Sequence, residues 1–370
     1  MCPVVHHLRS LPGRFEVRVC VTGQHRAMLD QVLAAFAVVP DYDLNAMTPG
    51  QTLAESTSRI LAALDRVMAD QNHDLVLIQG DTTTTLCGAL TAFYRQIPVG
   101  HIEAGLRTWN LRQPFPEEMN RVMASRLAAL HFAPTEGAAR NLKREGVPDA
   151  QVCVTGNTGI DAVLWVREAL ETGRLKGGEW PMLDASRKLI VVTAHRRESF
   201  GDGFERICQG LLRLARRGDV QIVYPVHRNP NVVDPVQRWL AGEPNILLMD
   251  PLDYVPFVDL MRRAYLLLTD SGGIQEEGPS LGKPVLVMRE TTERPEAVEA
   301  GTAVLVGTDP ERIYGQVVTL LESRQLYESM ARTHNPYGDG TASVRIAQAT
   351  ADYFGTGLEA PRSIRHNATV

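Results

Sequence analysis

The sequence predicts an α/β protein built as two Rossmann-like, doubly wound domains facing across a cleft, and three observations lead there. Short runs rich in Val, Ile and Leu recur along the chain, and they are continuous rather than alternating, as in strands buried on both faces. Longer stretches with helical spacing separate them, which is the rhythm of parallel sheets covered by helices. The 370 residues, 44% hydrophobic and 22% charged, suffice for two such units and fit no fibrous or disordered class.

Taken in order, FEVRVCV at 15–21 and LVLI at 75–78 read as strands, and TTTTLCGALTAFY begins a helix directly after Asp81. IPVGHI at 97–102 is a further strand, and Pro116-Glu117-Glu118 makes a good first helical turn, with proline at its first position and acids complementing the dipole. LHFAP at 130–134 and VCVTG at 152–156 follow as strands, then a helix over about 158–173. A break comes next, GRLKGGEWPMLDASRK, rich in Gly and polar residues and without helical or strand period. Beyond it lie the strands KLIVVTA 188–194, VQIVYPV 220–226, AYLLLT 264–269 and PVLVM 284–288. The helical pattern SVRIAQATADYF at 343–354 has no strand after it and is expected to cross back onto the first domain. The expected organisation is therefore an N-terminal domain over 1–165, a C-terminal domain over 175–342, the returning helix at 343–356 and a flexible tail at 357–370.

Several classes are disfavoured. A net charge of −5 gives no electrostatic footprint for nucleic acid. Cys2, Cys20, Cys87, Cys153 and Cys208 stand far apart, with no paired spacing for a metal site or a disulfide framework. No run approaches the roughly 18 apolar residues that span a bilayer, and the expectation is a cytoplasmic protein without metal or cofactor.

Three acidic positions stand at the edges of elements in the first domain: Asp81 in QGDTTTT, Glu103 in GHIEAGLRT and Glu117 in FPEEMNR. Strand ends are where open α/β sheets bind ligands. The ordinary reading of Asp81 is a helix N-cap, and that of Glu117 a dipole complement. Glu103 has a weaker ordinary reading, since no helical pattern beside it needs a cap. In the second domain, LLLTDSGGIQEEGPSLGKP at 266–284 joins a strand to a helix through small residues, so free N–H groups at Ser271, Gly272 and Gly273 face whatever sits there. The alternative is a loop in which Asp270 or Ser271 merely caps the helix. Glu276 and Glu277, one turn in, are dipole complements or acceptors for the two hydroxyls of a ribose, and the combination suggests a nucleotide diphosphate. TAHRRES at 193–199 and PVHRNP at 225–230 put His195, Arg196, Arg197, His227 and Arg228 at further strand ends, a supply of positive charge for an anion.

These motifs in this order, with GKPVLVMRETTERPEA and NPYGDG, resemble the non-hydrolysing UDP-N-acetylglucosamine 2-epimerases over about residues 3–354. The resemblance implies reversible interconversion of UDP-GlcNAc and UDP-ManNAc without a nicotinamide, through elimination of UDP to 2-acetamidoglucal and its re-addition, supplying envelope polysaccharide. By position it implies Asp81, Glu103 and Glu117 as acid–base carboxylates and His195 as the group assisting the departing diphosphate. It also implies Ser271, Gly272 and Gly273 at the phosphates, Glu277 at the ribose and Arg294 as a further ligand contact. Family members are usually homodimers, and bacterial ones are activated by a second UDP-GlcNAc, whose site would draw on Gln24, His25, Gln51, Arg196 and His227. Ala27, where some members are polar, departs from that pattern.

A larger departure lies at the start. The family's first strand and a loop reading like GTRPEA, whose arginine reaches the phosphates, have no counterpart here; MCPVVHHLRSLP matches the end of the following helix. A late start codon and a damaged or repurposed product both account for it. In a doubly wound sheet the first strand is usually central, so its loss is expected to open a groove between flanking strands. Two other functions share the fold and the nucleotide clamp: a GT-B glycosyltransferase and a non-catalytic UDP-sugar-binding protein.

Overall fold

The computed structural model describes residues 1–24 and 26–357. Its first half begins with α1 (Cys2–Arg9), β1 (Cys20–Val21), α2 (Arg26–Ala35), β2 (Tyr42–Asp43) and α3 (Leu53–Asp70). It continues through β3 (Val76–Gln79), α4 (Thr83–Tyr94), β4 (Val99–Ile102), α5 (Glu117–Leu127), β5 (Leu130–Ala133), α6 (Glu136–Arg144), β6 (Val152–Val154) and α7 (Thr158–Glu171). The second half runs β7 (Lys188–Thr193), α8 (Asp202–Ala215), β8 (Val220–Pro225), α9 (Pro230–Leu240), β9 (Ile246–Met249) and α10 (Tyr254–Arg263). It ends with β10 (Leu266–Thr269), α11 (Gly272–Ser280), β11 (Val285–Val287), α12 (Pro295–Glu299), β12 (Ala303–Leu305), α13 (Pro310–Glu322), α14 (Arg324–Arg332) and α15 (Ala342–Tyr353).

Among the described residues every strand pairing is parallel. The second half holds one six-stranded sheet, ordered β12-β11-β10-β7-β8-β9, whereas the first holds a two-stranded sheet, β1-β2, and a four-stranded one, β3-β4-β5-β6. The continuous apolar runs follow from burial on both faces. Ile190, Val192, Ile222 and Tyr224 pack against Phe204, Leu211 and Ile313 on one face of the large sheet. Leu189, Val191, Val223 and Leu267 pack against Val258, Met261 and Ile274 on the other, in a cluster that also takes in Ile160, Val163 and Val166 of α7. That shared cluster ties the first half to the second.

Local chemistry sets the helix starts. Thr52 and Glu55 form a reciprocal capping box at α3. Thr82, not Asp81, caps α4, its hydroxyl accepting from the Thr85 N–H at 3.4 Å. Pro116 is the N-cap of α5 rather than its first residue, so the helix opens on Glu117 and Glu118. The run at 15–21 pairs only at Cys20 and Val21, and strands at 42–43, 246–249 and 303–305 join those expected. Residues 172–187 carry neither helix nor strand. The expected tail at 357–370 lies, from residue 358 on, outside the described residues.

Helix α15 returns to the first half, where Ile346 and Ala347 pack with Val4 and Leu8 of α1. Its start has no cap from its own residues. Asp161 of α7 supplies one instead, accepting from the Ser343 N–H at 2.7 Å and the Ala342 N–H at 3.2 Å. Two orphan donors of one helix are thereby satisfied by a buried carboxylate of another. Asp161→Ala is expected to lower unfolding stability by about 1–2 kcal/mol, read from the denaturation midpoint, with amide exchange accelerating first in α15.

Candidate active site

The turn that follows β4 is under conformational load. Glu103 takes a left-handed backbone with φ +63, and Gly105 follows with φ +93. A Cβ on Gly105 would stand 2.3 Å from the Ala138 carbonyl oxygen, so the loop lies pressed on α6 and only glycine fits there. A non-glycine residue held in such a conformation marks a place where surrounding structure dictates geometry. The consequence is a carboxyl turned into the cleft, where Gln79 at the end of β3 donates to Glu103 Oε2 at 3.3 Å. Burial raises the Glu103 carboxyl above its ordinary range, and the nearby charges of Glu276 and Asp81 add to the rise.

Asp81 sits beside it on the loop into α4. Arg121 of α5 pairs with its carboxylate, and Asn120 donates to its backbone oxygen at 2.9 Å. The two glutamates that open α5 differ in burial and partners. Glu118 is the buried one, 1% exposed, accepting from the N–H groups of Thr108 and Trp109 at 2.9 Å each and pairing with Arg121 at 3.1 Å. Glu117 is half-buried and forms no ion pair with any described residue.

Across the cleft, the second half places its groups at the carboxyl edge of β7 and β10. Asp270 is fully buried and does not cap α11. Its Oδ2 accepts from the backbone N–H groups of His195 and Arg196, both at 2.7 Å, while Oδ1 lies 3.3 Å from His195 Nδ1. The His195 backbone is thus held by Asp270, and its ring stacks on His227 with centroids 5.6 Å apart. Burial lowers the imidazole's affinity for a proton, and the Asp270 charge opposes that. Ser271 is the N-cap of α11 and makes no side-chain cap bond. Gly272 and Gly273 open the helix, and a Cβ on Gly272 would meet the Arg294 guanidinium at 3.6 Å. One helix N-terminus and one guanidinium therefore face the same space.

Arg294 also pairs with Glu276, whose other oxygen accepts from Asn157 Nδ2 at 2.6 Å. Asn157 belongs to the first half, where its own Oδ1 caps α7 through the Gly159 N–H at 2.8 Å. A second crossing contact joins Thr135 to Glu296 at 3.3 Å, and Tyr337 donates to the same carboxylate at 3.2 Å. Glu277 is raised to about 8, first by burial and then by the neighbouring Glu276 charge. Of the remaining expected contacts, Gln24 accepts from the Thr84 hydroxyl at 3.2 Å, and Arg196 donates to the Asp270 carbonyl at 3.3 Å. Gln51 keeps to its own loop with Thr48 and Arg59. His25 lies outside the described residues.

The structure thus brings Asp81 and Glu103 together on one wall and His195, Ser271, Gly272, Glu277 and Arg294 on the other. Gln79, Arg121, Asn157 and Asp270 complete the arrangement without having been singled out as site residues, and Glu276, weighed as a ribose acceptor, is paired with Arg294 and Asn157. Among the described residues no cluster of His, Cys, Asp and Glu could hold a metal ion, and no helix is long and apolar enough to cross a membrane.

Two Rossmann-like domains with acid groups on one wall and an anion-receiving helix end on the other define a GT-B-like enzyme of nucleotide-sugar type. The chain belongs to the UDP-N-acetylglucosamine 2-epimerase family, whose profile matches residues 8–351. It is 58% identical over 358 residues to the UDP-N-acetylglucosamine 2-epimerase of Salmonella typhimurium, covering 95% of both chains. It is 57% identical over 354 residues to that of Escherichia coli K12, covering 94% of both. Among solved structures it is similar to the Neisseria meningitidis UDP-GlcNAc 2-epimerase bound to UDP-GlcNAc, with a TM-score of 0.85 and 48% identity over 95% of this chain and 96% of that one.

The Glu277 carboxyl carries a pH prediction. Its folded-state value of about 8 lies above the ordinary 4.5, so between those values the folded protein holds a proton that the unfolded chain releases, and stability falls as pH rises. Glu277→Gln is expected to gain on the parent by on the order of 2 kcal/mol between about pH 5 and pH 8.5, read from urea midpoints across that range. A constant difference at all pH values would contradict it.

Proposed function

We propose that this chain interconverts UDP-GlcNAc and UDP-ManNAc by proton exchange at C2, with UDP leaving and returning at C1. The observation that carries this reading is the placement of Glu103, a buried carboxyl of raised proton affinity on a strained turn, opposite a helix N-terminus and Arg294. Family membership supports the substrate, since relatives named for this epimerisation match the chain nearly end to end.

The C2 proton of the sugar is not adjacent to a carbonyl, so its direct removal is very slow. Breaking the C1–O bond sends that electron pair to the β-phosphate oxygen of UDP, and loss of the C2 proton supplies the pair that forms the C1=C2 bond of 2-acetamidoglucal. Return of the phosphate oxygen to C1 with protonation on the opposite face of C2 gives the epimer. Two needs follow: acid–base groups serving both faces of C2, and a clamp that keeps UDP in place. In this reading Glu103, Asp81 and Glu117 are the acid–base groups. Arg121 holds Asp81 in direction, and Glu118 holds the 108–109 loop beside it. His195 donates toward the departing phosphate oxygen, and Asp270 is the positioning residue that stands beside the ring and favours its protonated form. The N–H groups of Ser271, Gly272 and Gly273 with Arg294 receive the diphosphate, and Glu277 accepts from the ribose hydroxyls.

The same reading includes domains at 1–165 and 175–342, with α15 closing back on the first, and a homodimer as the assembly. It includes regulation by a second UDP-GlcNAc at Gln24, Gln51, Arg196 and His227. Arg196 and His227 already stand against the His195–Asp270 pair, the link that such regulation needs.

The deciding experiment is incubation with UDP-GlcNAc alone in heavy water, followed by NMR. Deuterium at C2 with formation of UDP-ManNAc is expected. A glycosyltransferase gives no exchange without an acceptor, and a sugar-binding protein gives saturable binding with C2 unlabelled; either result sinks the proposal. Glu103→Gln is expected to slow C2 exchange by about 10²–10⁴-fold while leaving the UDP dissociation constant within a few fold. Asp270→Asn is expected to lower kcat about tenfold or more and to move the alkaline limb of its pH profile downward, because the charge that opposes the effect of burial on His195 is gone. An unmoved limb would leave Asp270 a purely structural residue.

A further inference from the structure

The segment Gln79-Gly80-Asp81, which leaves β3 and enters α4, is held by groups from outside it. Its three consecutive carbonyls each accept from a side chain, and the three side chains stand on three different elements. Thr85 of α4 donates through Oγ1 to the Gln79 carbonyl at 2.6 Å, His101 of β4 through Nε2 to that of Gly80 at 2.8 Å, and Asn120 of α5 through Nδ2 to that of Asp81 at 2.9 Å. All three donors are buried, at 3%, 0% and 2% exposure. A carbonyl can only accept, so Nε2 of His101 carries the proton, and burial keeps the ring neutral by lowering its proton affinity to a pKa of about 4. Its Nδ1 bonds to no described residue, which leaves Gly80 as the ring's polar partner. Three successive planar peptide units, each fixed by a buried donor, have little freedom to rotate.

The neighbouring strand end carries the other carboxyl. One step past the registered pair of Gln79 and Ile102, Gly80 lies level with Glu103, and both take left-handed backbones, with φ +72 and +63. The Gly80 N–H donates to the Ile102 carbonyl at 3.0 Å while its own carbonyl accepts from His101, so β4 holds Gly80 by both backbone groups. Gln79, whose carbonyl Thr85 holds, is the residue whose side chain donates to Glu103. The turn that bears Asp81 and the turn that bears Glu103 are thereby fastened to each other.

We propose that Thr85, His101 and Asn120 are positioning residues for the exchange at C2, which together set the separation and direction of the Asp81 and Glu103 carboxyls. The inference rests on the reading of those two carboxyls as acid–base groups. Buried behind the turn, the three donors act on the reacting atoms only through Gln79, Gly80 and Asp81. Proton transfer is sensitive to small displacements of the transferring group. The second half receives the diphosphate and the ribose in the same reading, so a shift of this turn slows proton transfer and leaves UDP binding as it was.

The test compares, in the full chain, the removal of each donor with a substitution that keeps it: Thr85→Val against Thr85→Ser, and His101→Met against His101→Gln, whose amide nitrogen reaches about as far as Nε2. In the removal variants kcat for epimerisation of UDP-GlcNAc is expected to fall about ten- to hundredfold, with the UDP dissociation constant within about threefold of the parent, and the Ser and Gln variants to recover most of the loss. The double removal is expected to fall short of the product of the two single losses, since both act on one turn. Unchanged kcat in both removal variants, with the parent exchanging C2 hydrogen in heavy water, would overturn the proposal and leave the reading beneath it standing. A parent without exchange would overturn both. A loss of UDP affinity that matches the loss of kcat would make these groups structural alone and would also overturn the proposal.

Discussion

Everything in the cleft depends on how three carboxyls, Glu103, Glu276 and Glu277, are accommodated where two domains close on each other. Burial raises all three above the ordinary carboxylate range, and each would destabilise the interface if left unpaired. Arg294 and Asn157 meet this cost from opposite sides of the cleft, the first as an ion pair with Glu276 and the second as a donor to it. The positions of the surrounding elements answer to the same constraint. Helix α7 must begin at Asn157, helix α11 must begin beside Arg294, and the turn after β4 must hold Glu103 in a left-handed conformation.

Much of the architecture was legible in the sequence because burial on both faces writes continuous apolar runs, which mark most strands of both halves. The short strands at 42–43 and 303–305 were not, since two or three residues carry too little pattern to stand out. Cap chemistry misled locally: Asp81 and Thr82 are both good capping residues, and the helix chose Thr82 while Asp81 went to Arg121. The candidate acid groups could be named because they stand at strand ends. Their partners could not. Asp270 before Ser-Gly-Gly reads as a cap, and the His195 and Arg196 amides it serves lie 75 and 74 residues away. Asn157 and Glu276, 119 residues apart, leave no local signal of their meeting. The choice between Glu117 and Glu118 is a matter of helix phase, which places the second against the 108–109 loop and leaves the first half-buried.

The two halves also divide the chemistry by position in their winding. In each, the winding changes direction, within the one sheet of the second half and between the two sheets of the first, and such changes open a crevice at the carboxyl ends of the strands. The second half uses its reversal, between β7 and β10, to bring His195 and Asp270 together. The first half has its reversal between β1 and β3, where Gln79 reaches from the last position of β3 to Glu103. The cleft is thus one crevice facing another.

The chain passes between the halves twice, through 172–187 and again through the segment that leads from α14 to α15. At the second passage Gly156 and Gly338 lie backbone to backbone, with φ +88 and +139, and the Asn157 N–H donates to the Tyr337 carbonyl at 2.7 Å. Two covalent crossings remove degrees of freedom that a single tether would leave. Sliding and twisting of one half against the other would strain both passages at once, whereas rotation about the line joining them strains neither. The relative placement of the two walls is thereby held by two passages of the chain as well as by the side chains that meet across the cleft.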